Sequence, residues 1–169
     1  MELTHLDSSG QARMVDVSGK ADSHRTAVAR ATVTMNREAY DAIVQGNLKK
    51  GDALGVARIA GIMAAKRASE LIPLCHPIAL TRVEVTCEPV GGCIEIEARV
   101  ECVGKTGVEM EALTAVSIAA LTIYDMVKGI DRAMTIGGVR LLSRSGGKSG
   151  EWRAGAEDNH PGTDTHNRH

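Results

Sequence analysis

The sequence predicts an α+β fold, an antiparallel sheet of ferredoxin-like, split βαβ topology with helices on one face, one extra helix, and an oligomeric state. Three observations carry the prediction. Period-two alternation marks four separate strands, helical spacing marks the segments between the first and second and between the third and fourth, and a Gly-Gly turn joins the middle pair. The resulting order of strand, two helices, strand, strand, helix, strand is that of the split βαβ with one helix added.

Each element follows from local chemistry. The segment up to about Asp22 has little periodicity and reads as an arm. From Thr26 to Met35, Ala27, Ala29, Ala31, Val33 and Met35 alternate with Thr26, Val28, Arg30, Thr32 and Thr34, as in a half-buried strand. Asn36 is an N-cap candidate for a short helix from Arg37 to Gln45, ended by Gly46. A second helix begins after Asp52 and runs to about Leu71, before Pro73. It is rich in Gly and Ala, which costs helix propensity, so close packing on another element is the expected compensation. Val83, Val85 and Cys87, then Ile94, Ile96, Ala98, Val100 and Cys102, mark two strands joined at Gly91 and Gly92. A long helix is predicted from about Val108 to Val127 and a last strand from Thr135 to Ser143. Residues 1–150 are read as a single domain and 151–169 as a disordered tail, where apolar residues give way to Gly, Asp, Asn, Pro and Thr.

Composition narrows the function. The 169 residues carry 20 Lys+Arg against 21 Asp+Glu, so the basic surface required to hold a duplex backbone is missing. With no Phe, one Trp and two Tyr, there is no stacking platform for single strands either. A nucleic-acid partner is therefore not expected. Nor is a membrane, because the longest nearly apolar stretch, Leu113 to Ile123, is shorter than the roughly 18–20 residues of a span and MELTHLD is no signal peptide. Cys75, Cys87, Cys93 and Cys102 form no C-x-x-C pair and are read as reduced thiols of a cytoplasmic protein, with no metal site.

Several motifs could carry chemistry. GKTG at Gly104–Gly107 and SGGKSG at Ser145–Gly150 are not P-loops, since Arg99 and Leu142 stand where the first glycine would be. Each is either an ordinary turn or a set of backbone amides beside a lysine that cradles an anion, the first of them at a helix N-terminus. Thr106 and Glu109 fit a capping box, which leaves Glu111 as the better candidate for a ligand contact. Asp125 and Lys128 share a helix face, either as a surface ion pair or as a proton-transfer pair. Pro73-Leu74-Cys75-His76-Pro77 mounts a thiol and an imidazole on a stiffened loop, where His76 is a structural hydrogen-bonder or a ligand contact. Many cations, among them Lys20, Arg25, Lys50, Arg144 and Lys148, lie at element ends as a polyphosphate site would require. Glu111 and Asp125 are about 21 Å apart if one helix carries both, so a small ligand reaches both only if the chain folds back or a second copy contributes. A homo-oligomer with an interfacial site is the expectation.

The stretches MVDVSGKADSHR, KKGDALGVARIAGIMAAKRASELIPLCHP, KTGVEMEALTAVSIAALTIYDMVKGIDR and VRLLSRSGGKSG closely resemble the cyclic pyranopterin monophosphate synthase family, the MoaC family of molybdenum cofactor biosynthesis. The resemblance spans nearly everything from Met14 to Gly150. It implies a lyase that rearranges a cyclised dihydro-GTP, the product of an upstream radical enzyme, to cyclic pyranopterin monophosphate with release of pyrophosphate. It also implies a hexamer of three dimers with sites between subunits and no tightly bound cofactor, Mg²⁺ accompanying the triphosphate at most. By motif, Asp125, Lys128 and Lys50 take the catalytic positions. Leu74, Cys75, His76, Glu109, Met110, Glu111, Lys20, Arg25 and Lys148 take the substrate-binding ones, Lys20 and Arg25 as a basic arm. Two positions depart from the family pattern: Arg144 stands where Lys usually precedes SGGKSG, and Val127 stands where Cys is frequent. The competing reading is a non-catalytic nucleotide- or pterin-binding scaffold, which the presence of both Asp125 and Lys128 disfavours.

Overall fold

The structure, a computed structural model, describes residues 5–155. Its elements are β1 (Ser23–Thr34), α1 (Arg37–Gln45), α2 (Ala53–Ala65), α3 (Ala68–Leu71), β2 (Leu80–Val90), β3 (Cys93–Gly104), α4 (Glu109–Val127), β4 (Thr135–Ser145) and β5 (Trp152–Arg153). They form an α+β fold on one antiparallel sheet of order β2-β3-β1-β4-β5.

The central strand β1 pairs with β3 without interruption from Ser23↔Gly104 to Thr34↔Cys93. Its inward side chains, Ala27, Ala29, Ala31 and Val33, and those of β3, Ile94, Ile96, Ala98, Val100 and Cys102, are fully buried. Full burial of each larger aliphatic chain contributes about 1.5–3 kcal/mol. The other face of the sheet carries ion pairs, Arg30 with Glu95 and Glu97 and Arg99 with Glu101, as alternation requires. Helices α2 and α4 pack on the apolar face and on each other. Small residues set their spacing: a Cβ on Gly61 would stand 3.0 Å from the Ala115 carbonyl oxygen and 3.2 Å from Val85, so the glycine is where α2 meets both α4 and β2. The expected close packing is found there. α4 is long and apolar enough to cross a membrane on length and composition, yet half of it is buried inside the fold as the core helix.

Several sequence signals act as anticipated. The Asn36 side chain accepts from the Ala39 amide, that of Asp52 accepts from the Gly55 amide, and Gly46 ends α1 in the left-handed region at φ +70. Gly91 and Gly92, at φ +56 and +88, make the hairpin turn. Others do not. The predicted second helix breaks at Lys66 and Arg67, where the Arg67 amide bonds back three residues to the Ala64 carbonyl and the turn tightens before α3. The Thr106–Glu109 capping box is not made: α4 begins at Glu109 with no side-chain cap, and the Glu109 carboxylate reaches Arg144 instead. The chain also stays in register past Gly150, because Trp152 and Arg153 pair with Arg144 and Ser143 on the open edge of β4. The rest of the expected tail, 156–169, lies outside the described residues.

Candidate active site

The site candidates divide between the two ends of α4. At its N-terminal end two cavities adjoin, of about 570 and 310 Å³, sharing Lys20, Thr106, Gly107 and Glu109 in their walls. The larger is basic, lined by Lys20, Arg25, Arg144 and Lys148 against the one carboxylate of Glu109. The smaller is lined by Leu74, Cys75, His76, Met110 and Glu111. Every substrate-binding candidate of the sequence therefore faces one of these cavities.

Besides α4, which carries Glu109, Met110 and Glu111, four segments supply these side chains. The arm before β1 brings Lys20 and is tied down by two contacts, Lys105 Nζ donating to the Lys20 carbonyl at 2.7 Å and His76 Nε2 lying 2.6 Å from the Val15 carbonyl. Arg25 does not come from that arm. It sits in β1, 7% exposed, with Nε and Nη2 donating to the carbonyls of Gly104 and Lys105 at 2.9 and 3.1 Å, so it braces the turn before α4 while facing the basic cavity. Lys148 and Arg144 come from β4 and the loop after it. There, Gly146 and Gly147 adopt φ +100 and +72, and a Cβ on Gly147 would stand 2.3 Å from Arg25 Nη1. The loop after α3 supplies Leu74, Cys75 and His76 between its two prolines.

Glu111 is the buried acid of this end. It is 3% exposed, and burial first, then the neighbouring Glu109 charge, pushes its carboxyl up to about 7. Cys75 Sγ lies 3.8 and 4.0 Å from its two oxygens, and burial together with that carboxylate pushes the thiol up to about 11. The thiol thus stays protonated near neutrality, a donor toward Glu111 and not a nucleophile.

The other end of α4 is open. Lys128 Nζ stands 2.9 Å from Asp125 Oδ1, and Lys50, from the loop before α2, reaches Asp125 twice, at 3.6 Å to Oδ2 and by donating to its carbonyl at 3.0 Å. The hydrogen bond from Lys128, then the charges of Lys128 and Lys50, hold the Asp125 carboxyl below the usual carboxylate range. The three catalytic candidates are thus gathered in one cluster. All three are exposed, Lys128 to 47%, so the described residues do not supply the enclosure that proton transfer needs. Asp125 and Glu111 do share one helix, and the about 21 Å between them along its axis separates the cluster from both cavities.

Sequence reasoning placed Arg144 among the polyphosphate cations and at a departure from the family pattern, and missed its partner. The signal was the failed expectation itself, because Glu109 freed from capping has a charge to spend and Arg144 ends a strand that points toward it.

The MoaC family model matches residues 14–147. The chain is 60% identical over 154 residues to the cyclic pyranopterin monophosphate synthase of Thermomicrobium roseum, covering 90% of this chain and 93% of that one. It is 59% identical to the enzyme of the same name from Novosphingobium aromaticivorans, over 90% and 98%, and 58% identical to that of Chloroflexus aggregans, over 90% and 93%. With a family match over most of its length and relatives at this identity, the chain belongs to the MoaC family.

Proposed function

We propose that the two ends of α4, from two copies of the chain, together form the active site of a cyclic pyranopterin monophosphate synthase. The chain is an enzyme of molybdenum cofactor biosynthesis, a lyase that converts cyclised dihydro-GTP to cyclic pyranopterin monophosphate and releases pyrophosphate. The observation that carries the two-copy reading is the geometry of α4, which holds the acid–lysine cluster and the anion-binding cavities on one rigid rod too long for one substrate to span.

The residues divide the chemistry. Lys20, Arg25 and Lys148 bind the triphosphate and stabilise the charge that develops on departing pyrophosphate. Glu111, Cys75 and His76 surround the base-derived rings, with Glu111 poised between its two protonation states near neutral pH. Lys128 is the general acid and base, Asp125 its orienting partner, and Lys50 the second cation of that cluster. Mg²⁺ would arrive on the triphosphate; among the described residues no group of three or more His, Cys, Asp or Glu is gathered to hold a metal ion of its own.

The working particle is a homo-oligomer, in its full form a hexamer of three dimers. Support comes from the helix layer, whose outward side chains Val56, Ile59, Met63 and Leu121 are about half exposed, an apolar surface suited to a second copy. The ferredoxin-like reading of the sheet is supported by the strand order β2-β3-β1-β4 with helices after β1 and β3. A cytoplasmic location is supported by four free thiols.

The test is turnover of the cyclised dihydro-GTP by the purified protein, following pterin product and pyrophosphate together, with Lys128→Ala alongside. Both products from the wild type and neither from the variant sustain the reading. Binding in an oligomer without release of pyrophosphate would establish a scaffold instead.

A further inference from the structure

We propose that His5 is a further substrate-contacting residue, carried by a short hairpin of the arm into the wall of the smaller cavity. The inference rests on the reading of that cavity as the seat of the base-derived rings and adds to it a residue from the start of the chain.

The arm is wound as a series of closed turns. At its start the Asp7 side chain holds a tight turn, its Oδ1 accepting from the Ser9 amide at 2.9 Å, the Ser9 hydroxyl at 2.6 Å and the Gln11 amide at 2.9 Å. Gly10 takes the left-handed conformation that this turn uses, at φ +79. Leu6 then bridges Ala12, and the Arg13 amide donates to the His5 carbonyl at 2.8 Å, so the hairpin closes on His5 itself. Two anchors fix the rest of the arm, the Val15 carbonyl against His76 Nε2 and the Lys20 carbonyl under Lys105 Nζ. With these in place His5, Val15, Val17 and Lys20 all line the smaller cavity. Of the four, only Lys20 also lines the basic one.

That placement gives His5 a specific use. His76 commits Nε2 to the arm, so one of its two ring nitrogens is withdrawn from any ligand. The Cys75 thiol is turned toward Glu111. Among the described residues no hydrogen bond or ion pair engages the His5 side chain, which is exposed at the cavity wall. A neutral imidazole is one donor and one acceptor, which matches the edge of a guanine-derived ring, where N–H and C=O groups stand side by side. Val15 and Val17 beside it cover the ring faces, the combination of apolar walls with a few placed polar groups that small-molecule sites use. Because the hairpin is closed within the free chain, binding bears little cost of ordering it.

Calorimetry on the full-length protein with two probes, inorganic tripolyphosphate and cyclised dihydro-GTP, separates a ring contact from a phosphate contact. Lys128→Ala serves as the parent, so that the second probe is bound without being converted. In that parent His5→Ala should weaken cyclised dihydro-GTP about tenfold, the loss of one ring contact and its cover. Tripolyphosphate affinity should stay within about twofold, since Lys20, Arg25 and Lys148 are untouched. His5→Gln keeps a donor and an acceptor and should recover part of the loss. Asp7 lines neither cavity, yet Asp7→Ala should cause a smaller, severalfold loss for cyclised dihydro-GTP, because it undoes the turn that presents His5. Unchanged affinity of His5→Ala for cyclised dihydro-GTP overturns the proposal. An equal loss for both probes also overturns it, since the hairpin would then only steady Lys20, and so does an Asp7→Ala chain with the parent's affinity. Thermal melts matched to the parent establish that each variant is folded, and the His5→Gln comparison stands without His5→Ala. Wild-type protein that binds both probes with this pattern but releases no pyrophosphate would refute the proposed reaction and leave the inference intact.

Discussion

At its N-terminal end α4 is enclosed by β1, β4, the arm and the 72–79 loop, beside a buried acid, a protonated thiol and four cations, of which Arg25 and Arg144 already have backbone or carboxylate partners in place. At its C-terminal end the same helix offers Asp125 and Lys128 to solvent, with Lys50 beside them. The first end is a basic cavity with a smaller one beside it that holds the buried acid. The second is an exposed ion-pair cluster. Binding energy can be prepaid within one chain, whereas proton transfer by a lysine needs water excluded, and the proposal assigns that enclosure to a second copy.

The contrast can be broken at either end. The largest effect is expected for Lys128→Ala, which should lower kcat by about 10²–10⁴ while leaving tripolyphosphate affinity within twofold, since the proposed phosphate contacts are Lys20, Arg25 and Lys148. A matched loss of affinity would merge the two regions. Next is the charged pair Ile59→Glu with Leu121→Glu on the helix layer, which should yield a smaller particle in analytical ultracentrifugation, folded by circular dichroism and inactive. Retained activity in that smaller particle would mean that one chain completes its own site.

Glu111 gives a pH-dependent effect on stability. Its carboxyl rises from 4.5 to about 7 on folding, so between these values the folded protein holds a proton that the unfolded chain has released. Stability should therefore fall as pH rises from about 4.5 through 7, by about 3 kcal/mol in all. Glu111→Gln should flatten this dependence and unfold later than wild type at pH 8, as measured by urea denaturation at pH 5 and pH 8. An unchanged pH profile would show that the acid is not buried as described. The smallest effect is that of Asn36→Ala, which should cost about 1 kcal/mol through loss of the α1 cap, read as a modest fall in Tm.

Much of this was legible in the sequence because it is local. Alternation in β1 and β3, the caps at Asn36 and Asp52 and the glycine pair of the hairpin are all decided within a few residues, and each appears in the fold where the pattern puts it. Motif resemblance likewise grouped Asp125, Lys128 and Lys50, which the fold brings together from two elements. What escaped depends on contacts between distant segments. The break at Lys66 has no Gly or Pro to announce it. The Glu109–Arg144 pair joins a helix start to a strand end thirty-five residues later and displaces a capping box that looked satisfied on spacing alone. Arg25 read as part of the basic arm because the alternation was counted only from Thr26, yet the twelve-residue ladder of β1 with β3 draws it into the sheet.

The most direct measurement mixes two dead enzymes. Lys128→Ala and Glu111→Gln chains, each expected to be inactive alone, are co-refolded in equal amounts and assayed for pyrophosphate release. If one copy supplies the cavities and another the lysine, each mixed dimer regains one intact site of its two, and the mixture recovers about a quarter of wild-type activity. If both ends of α4 served a site within a single chain, the mixed oligomers would form and remain as inactive as their parents.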